Sequence, residues 1–244
     1  MKFALITDIH GNASALKAVL DTINQDPDIE TIYCLGDLVG IGAETNEVID
    51  LIRSDRKIRT ISGNHDENVL SLLNGERYPD SYLHAKAHHS WVANQLTAEN
   101  RVFLGRLPRT ISKVVESRRI LFTHYAYRDV RAMIGEEPLR PTVDGNKETL
   151  PQLFADTSAT LICFGHHHPR QFVQVNGTTY VNPGALGCQP EAIAPFAVVS
   201  GDSENWDVEF MDVPYDDAAY LESFNASDMP SKELLRKLFL GGRS

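Results

Sequence analysis

The sequence predicts an α/β fold, and three observations carry that prediction. An apolar run, a polar motif and a helical segment succeed one another three times in the first third of the chain. In such a βαβαβ order the strands run parallel with right-handed crossovers, so the polar motifs all emerge at one sheet edge. Further strand-like runs in the second half also end in polar residues. With 244 residues, 42% of them hydrophobic and 23% charged, the chain can bury a full core.

The elements follow in order. "KFALIT" (2–7) is a buried-strand pattern ending in Asp8, His10, Gly11 and Asn12, after which Leu16, Val19, Leu20 and Ile23 recur at helical spacing. "TIYCL" ends in Gly36-Asp37, and Val48, Leu51 and Ile52 share a helix face beyond it. "IRTIS" ends in Gly63-Asn64-His65-Asp66. Residues 68–112 read as mostly helical, with one helix over Tyr82–Leu96 and Thr97 as N-cap of a second, so this insertion has the character of a lid. "RRILFT" delivers His124, "ATLICF" delivers Gly165-His166-His167-His168, and "TTYV" delivers Asn182-Pro183-Gly184. Residues 196–213 read as a hairpin turning through Gly201–Asn205, and the tail from Pro230 as a short helix ending at Gly241. The chain 1–244 thus reads as a single domain with a helical insertion at about 68–112.

Composition excludes several classes. The net charge of −10 repels polyanions, which argues against non-specific nucleic-acid binding and against anionic membrane surfaces. The N-terminal apolar run is too short for a signal sequence, and no stretch approaches the roughly 20 apolar residues of a membrane span, so the expected location is cytoplasmic. Cys34, Cys163 and Cys188 are widely spaced in apolar surroundings, with no CxxC pair, and are expected to be reduced thiols.

The strand ends collect Asp8, His10, Asp37, Asn64, His65, His124, His166 and His168. Singly, each has an ordinary explanation as a helix cap, a turn residue or a satisfied histidine. Delivered together to one rim, they point to a site. In an extended segment His166 and His168 face one way and His167 the other. Two carboxylates, four imidazoles and an amide oxygen are too many ligands for one metal and suit two that share a carboxylate, with Asp37 the natural bridge. Two divalent ions less two carboxylates and a hydroxide leave about +1, enough to attract phosphate to an acidic protein. Such a pair holds the attacking and leaving oxygens of an in-line displacement, and His65 beside it can donate a hydrogen bond or a proton.

These motifs resemble the calcineurin-like metallophosphoesterases, in particular the small bacterial and archaeal phosphodiesterase-type branch. The resemblance runs from Asp8-x-His10 through Gly36-Asp37, Gly63-Asn64-His65-Asp66 and His124 to Gly165-His166-x-His168. It implies a four-layer α/β/β/α sandwich of two central sheets. It implies Asp8, His10, Asp37 and His168 on one metal, and Asp37, Asn64, His124 and His166 on the other. His65 would be the transition-state histidine, and a metal-bridging hydroxide the nucleophile. The ions implied are manganese and/or iron, with zinc or nickel as alternatives. "GDLVGIG" and "GNHD" lack the Arg-Gly and Glu of the protein phosphatases. The expected activity is hydrolysis of a small phosphate ester or nucleotide. The alternatives are an asymmetric diadenosine polyphosphate hydrolase, or a non-catalytic scaffold of the same fold. A homo-oligomer remains open.

Other residues carry weaker signals. Asn12 either contacts phosphate or starts a helix. Tyr125, Tyr127, Arg128 and Arg131 follow His124 and could stack a base, clamp a phosphate or form a solvated loop, with Tyr125 and Arg128 the substrate candidates. His84 and His88 stand four apart on the expected lid helix, but without an acidic partner they read as surface or core residues. Trp91 reads as lid packing.

Overall fold

The computed structural model describes residues 1–115, 118–201 and 205–243. Its first unit alternates strands and helices: β1 (Lys2–Ile6), α1 (Ala13–Ile23), β2 (Thr31–Cys34), α2 (Thr45–Ser54) and β3 (Ile58–Thr60). Helices α3 (Asn64–Asn74), α4 (Lys86–Gln95) and α5 (Ala98–Leu104) follow, with a 3₁₀ turn at Asp80–Ala85 before α4. The second unit holds β4 (Thr110–Val115), β5 (Arg118–Thr123), α6 (Thr149–Leu153), β6 (Leu161–Cys163), β7 (Gln171–Val175) and β8 (Thr178–Asn182). The chain then returns through β9 (Ile193–Gly201), β10 (Trp206–Pro214), α7 (Ala218–Ala226) and α8 (Lys232–Phe239).

The strands form two five-stranded sheets, in the orders β10-β9-β1-β2-β3 and β4-β5-β6-β8-β7. The first three strands pair in parallel, while β9 runs antiparallel to β1. In the second sheet β5, β6 and β8 are parallel and the edge strands β4 and β7 antiparallel. Alternation along each strand fills two layers of core. Phe3, Leu5 and Tyr33 meet Ile120, Phe122, Cys163 and Val181 between the sheets, where the rings of Tyr33 and Phe122 stack at 3.7 Å. Ala4, Ile6, Ile32 and Cys34 turn instead to the helices, packing with Leu16, Val19, Val48 and Ile52. On the far side, Ile162, Phe164 and Tyr180 are covered by Leu150, Leu153 and Phe154. The result is the α/β fold of two central sheets expected from the sequence. Burial on both faces explains why the inner strands read as continuous apolar runs.

The helical insertion differs in detail from its sequence pattern. The segment expected as one helix over 82–96 is broken at Lys86, whose N–H bonds Leu83 O in a 3₁₀ turn. The Tyr82 carbonyl that an α-turn would offer Lys86 instead accepts the Tyr78 hydroxyl at 3.1 Å. The expected 68–112 range also takes in the first residues of β4, which starts at Thr110. Thr97 caps α5 as expected, accepting from Asn100 N. The 196–213 hairpin is β9–β10; residues 202–204 of its expected Gly201–Asn205 turn lie outside the described residues. The three cysteines are buried free thiols, and no helix among the described residues is long and apolar enough to cross a membrane.

Candidate metal centre and active site

The polar motifs do converge at one edge, and the backbone is bent to bring them there. Asp8, His10, Asp37 and His166 all adopt left-handed backbone, with φ of 53°, 50°, 54° and 67°. Non-glycine residues occupy this region at a cost and persist there only when their surroundings hold them. The surroundings are evident. The β1 and β2 loops interlock through Asp8 N to Gly36 O and His10 N to Asp37 O, both 3.0 Å. Gly165 lies so close to Thr7 that a Cβ there would sit 2.0 Å from the Thr7 hydroxyl and 2.8 Å from Asp8 Oδ2. Asp66 ties the second loop to the third: its carboxylate accepts from Leu38 N, Val39 N and Gly63 N at 3.0, 3.1 and 2.9 Å. Asn182 braces the histidine loop, donating to His167 O at 2.6 Å and accepting from Gly184 N.

The donor atoms fall into linked groups. One atom each from Asp8, His10 and His168 lie within 4.8 Å of one another, as do atoms of Asp37, His124 and His166, and of His10, Asp37 and His65. Asp37 is central: Oδ1 accepts His65 N at 2.8 Å, while Oδ2 lies 3.2 Å from His124 Nε2 and 3.8 Å from His10 Nε2. Asn64 Oδ1 lies 2.9 Å from His124 Nε2 and 2.7 Å from His166 Nδ1. His10 and His124 place Nδ1 against the carbonyls of Val39 and Leu35, at 3.1 and 2.7 Å. A carbonyl only accepts, so each Nδ1 carries hydrogen and each Nε2 is turned to the site.

Two features mark this donor set as suited to cations. Asp8 Oδ2 accepts from Thr7 Oγ1 and His166 N, but buried Oδ1 has no hydrogen-bond donor among the described residues. The Nε2 atoms of His10 and His168 face one another at 3.2 Å with Asp8 Oδ1 less than 4 Å from each. A buried orphan acceptor beside converging imidazole nitrogens is the chemistry a divalent cation satisfies. Without one, Asp37 and His124 pair electrostatically. Burial opposes charge on both, yet each holds the other charged: Asp37 well below the ordinary carboxylate range, His124 pushed up to about 10. Burial and the charge on His124 push His166 the other way, to about 4.

The structure places the remaining candidates as follows. His167 turns away from the site, where its Nδ1 meets the Gln171 amide. The segment is not extended as the alternation argument assumed; the left-handed turn at His166 gives His166 and His168 their common direction. Asn12 is fully buried and its side chain is spent on Ala15 N, Gly187 O and the Tyr215 hydroxyl, which assigns it to capping α1 rather than to a ligand. Tyr125 is likewise buried, its hydroxyl accepting Val143 N and its ring 4.9 Å from that of His166, so it backs a histidine and offers no face to a base. Tyr127 carries the Arg109 guanidinium over its ring, and Arg131 lies exposed. Arg128 lines a cavity of about 280 Å³ that opens beside Asn64 and His166, together with Tyr82, Arg140 and Asn68. Asn68 is buried there with its amide nitrogen unpartnered. His84 lies in the 3₁₀ turn and His88 on α4, stacked on Trp91, so the two do not share a helix face. Trp91 packs the insertion against α7 and donates to Asp228.

Sequence reasoning gave no role to Asp66, Thr7, Asn182 or His89. The first could have been found from its place three residues after Gly63, where an N3 carboxylate reaches back to the N-cap N–H. His89 had no such signal. It reaches His65 from the insertion, its Nε2 2.8 Å from His65 Nδ1.

Known proteins resemble this chain in sequence or in fold. An uncharacterized protein of Methanocaldococcus jannaschii is 28% identical over 98% of this chain and 97% of its own. A symmetrical bis(5'-nucleosyl)-tetraphosphatase of Paracidovorax citrulli is 32% identical over 51% of this chain, which spans only 44% of that enzyme. The crystal structure of a hypothetical protein from Pyrococcus horikoshii OT3 superposes with a TM-score of 0.78 at 22% identity, covering 100% of this chain and 99% of that one. Residues 1–204, which carry every candidate ligand, match the calcineurin-like phosphoesterase superfamily domain. The chain belongs to the calcineurin-like phosphoesterase superfamily, a family of phosphate ester hydrolases.

Proposed function

We propose that the protein is a binuclear metal-dependent phosphoesterase acting on a small phosphate ester or nucleotide. The observation that carries this reading is the position of Asp37, one carboxylate between two donor groups that each contain further buried ligands. Asp8, His10, Asp37 and His168 would hold one divalent cation, manganese or iron in this reading, and Asp37, Asn64, His124 and His166 the other. Such cations supply positive charge to phosphoryl oxygens and acidify water. The chain supplies the rest. Val39 O and Leu35 O orient two imidazoles, and the His65 amide fixes Asp37. His65, beside the donors, is placed to hand a proton to the leaving oxygen. The cavity beside Asn64 and His166 takes the organic group, with Arg128, Arg140 and Asn68 as its donors.

A second reading, hydrolysis of a dinucleoside polyphosphate, is favoured by the Paracidovorax citrulli relative. The cavity argues for the first, since about 280 Å³ lies at the lower edge of ordinary ligand pockets and suits one nucleoside-sized group. The experiment is hydrolysis of bis(p-nitrophenyl) phosphate, nucleotides and diadenosine tetraphosphate before and after chelation. Chelation should abolish turnover and manganese restore it, with mononucleotide esters preferred. Full activity in verified metal-free protein would refute the reading, and no turnover in fully metal-loaded protein would support the scaffold alternative.

A further inference from the structure

We infer that His89 is a positioning residue that fixes the tautomer and orientation of His65 through a polarised chain running into the helical insertion. This rests on the reading of His65 as the proton-transfer residue. The chain is legible atom by atom. The Tyr78 hydroxyl lies 3.1 Å from Tyr82 O and 2.6 Å from His89 Nδ1, and His89 Nε2 lies 2.8 Å from His65 Nδ1. A carbonyl cannot donate, so the one hydroxyl hydrogen of Tyr78 goes to Tyr82 O. The hydroxyl oxygen then accepts from His89 Nδ1–H, which leaves His89 Nε2 as an acceptor and makes His65 Nδ1 its donor. One backbone carbonyl therefore sets the direction of three hydrogen bonds. His65 is left with Nε2 as its only nitrogen for the reaction, an acceptor while the ring is neutral and, once the ring has taken up a proton there, the atom that hands it to the leaving oxygen, with Nδ1–H held as in His10 and His124.

The β2 loop offers no substitute partner. Gly40 passes beneath the His65 ring at φ +85°, and a Cβ there would lie 2.7 Å from His65 Nδ1. A side chain is excluded where a partner from that loop would stand, and α4 fills the role from 24 residues further along. His89 is fully buried, and its ring meets that of His65 edge-on at 4.8 Å, as that of His10 does at 4.9 Å. The insertion is thereby coupled to the chemistry as well as to the cavity wall.

The test is a double-mutant cycle on the metal-loaded enzyme with a tautomer readout on the metal-free protein. His89→Ala should lower kcat about 10- to 100-fold, the usual scale for removing an orienting partner, with KM and metal content unchanged. His89→Gln, which keeps an acceptor and a donor, should recover most of that loss, and Tyr78→Phe should lose less than His89→Ala. In a His65→Ala background, His89→Ala should have no further effect, because its contribution passes through His65. Imidazole ¹⁵N spectra should show His65 protonated at Nδ1 in the wild type and in His89→Gln, and a mixture in His89→Ala. If His65→Ala is itself fully active, the proton-transfer reading fails. If His65→Ala is impaired but His89→Ala is normal, or if the two losses multiply, the positioning role alone is overturned.

Discussion

Replacing Asp66 should cost a predictable amount of stability, because its carboxylate serves three buried backbone donors and nothing else among the described residues serves them. Leu38 N, Val39 N and Gly63 N all end on it, between 2.9 and 3.1 Å. Asp66→Ala leaves three buried N–H groups unpaired, at about 1–3 kcal/mol each, hence about 3–9 kcal/mol before relaxation. Two effects reduce that figure. Water can reach part of the vacated space, and the native carboxyl is itself under strain, since burial and then the charge on Asp37 push it up to about 7. We expect a net loss of about 3–5 kcal/mol, a large share of the 5–15 kcal/mol that typically holds a domain together. Asp66→Asn keeps an acceptor for Leu38 and Val39 but turns its NH₂ toward Gly63 N, donor against donor, so about 1–3 kcal/mol is expected. The assay is urea unfolding of metal-free protein, read as a shift in midpoint at constant slope, so that metal loss does not enter. A loss for Asp66→Ala within about 0.5 kcal/mol of zero would refute the reasoning, and an Asn variant as unstable as the Ala variant would show that charge, not acceptor count, matters.

Two further outcomes follow from the site. His166→Ala and His168→Ala should each lower bound metal and collapse activity, whereas His167→Ala, directed toward Gln171, should keep full metal stoichiometry; loss of a metal from His167→Ala alone would overturn the ligand set. In metal-free protein the raised pKa of His124 stabilises the fold below its unfolded value near 6.5, and that contribution is lost as pH climbs toward about 10. Relative to His124→Ala, the wild type should lose roughly 2 kcal/mol between pH 6.5 and 8.5, a difference in which the histidines that burial holds neutral, Asp66 and the thiols, all titrating in or beside that window, cancel. Wild-type and His124→Ala profiles that stay parallel over that window would refute the assignment to His124.

The sequence by itself determined the parallel core and the content of the site. Asp8, His10, Asp37, Asn64 and His124 are legible because parallel strands must all release their polar residues at one edge, whatever the distances between them turn out to be. Strands β4 and β7 were not legible. "TISKVV" and "QFVQV" are edge strands with only one face to bury, so their apolar content is thin and the first was absorbed into the expected helical region. Asn12 and Tyr125 stood next to ligands in sequence, and proximity suggested substrate contact; only the packing shows Asn12 spent on three hydrogen bonds and Tyr125 turned into the core. The pairing of His166 with His168 was foreseen from strand alternation but is produced by a left-handed turn, a backbone choice imposed by contacts with Asp8 and Asn182. His89 is the clearest case of what tertiary structure alone decided. Whether a histidine on an inserted helix meets a catalytic histidine depends on where the Tyr78–Tyr82 turn breaks that helix and how α4 docks on α3, and no local periodicity encodes either.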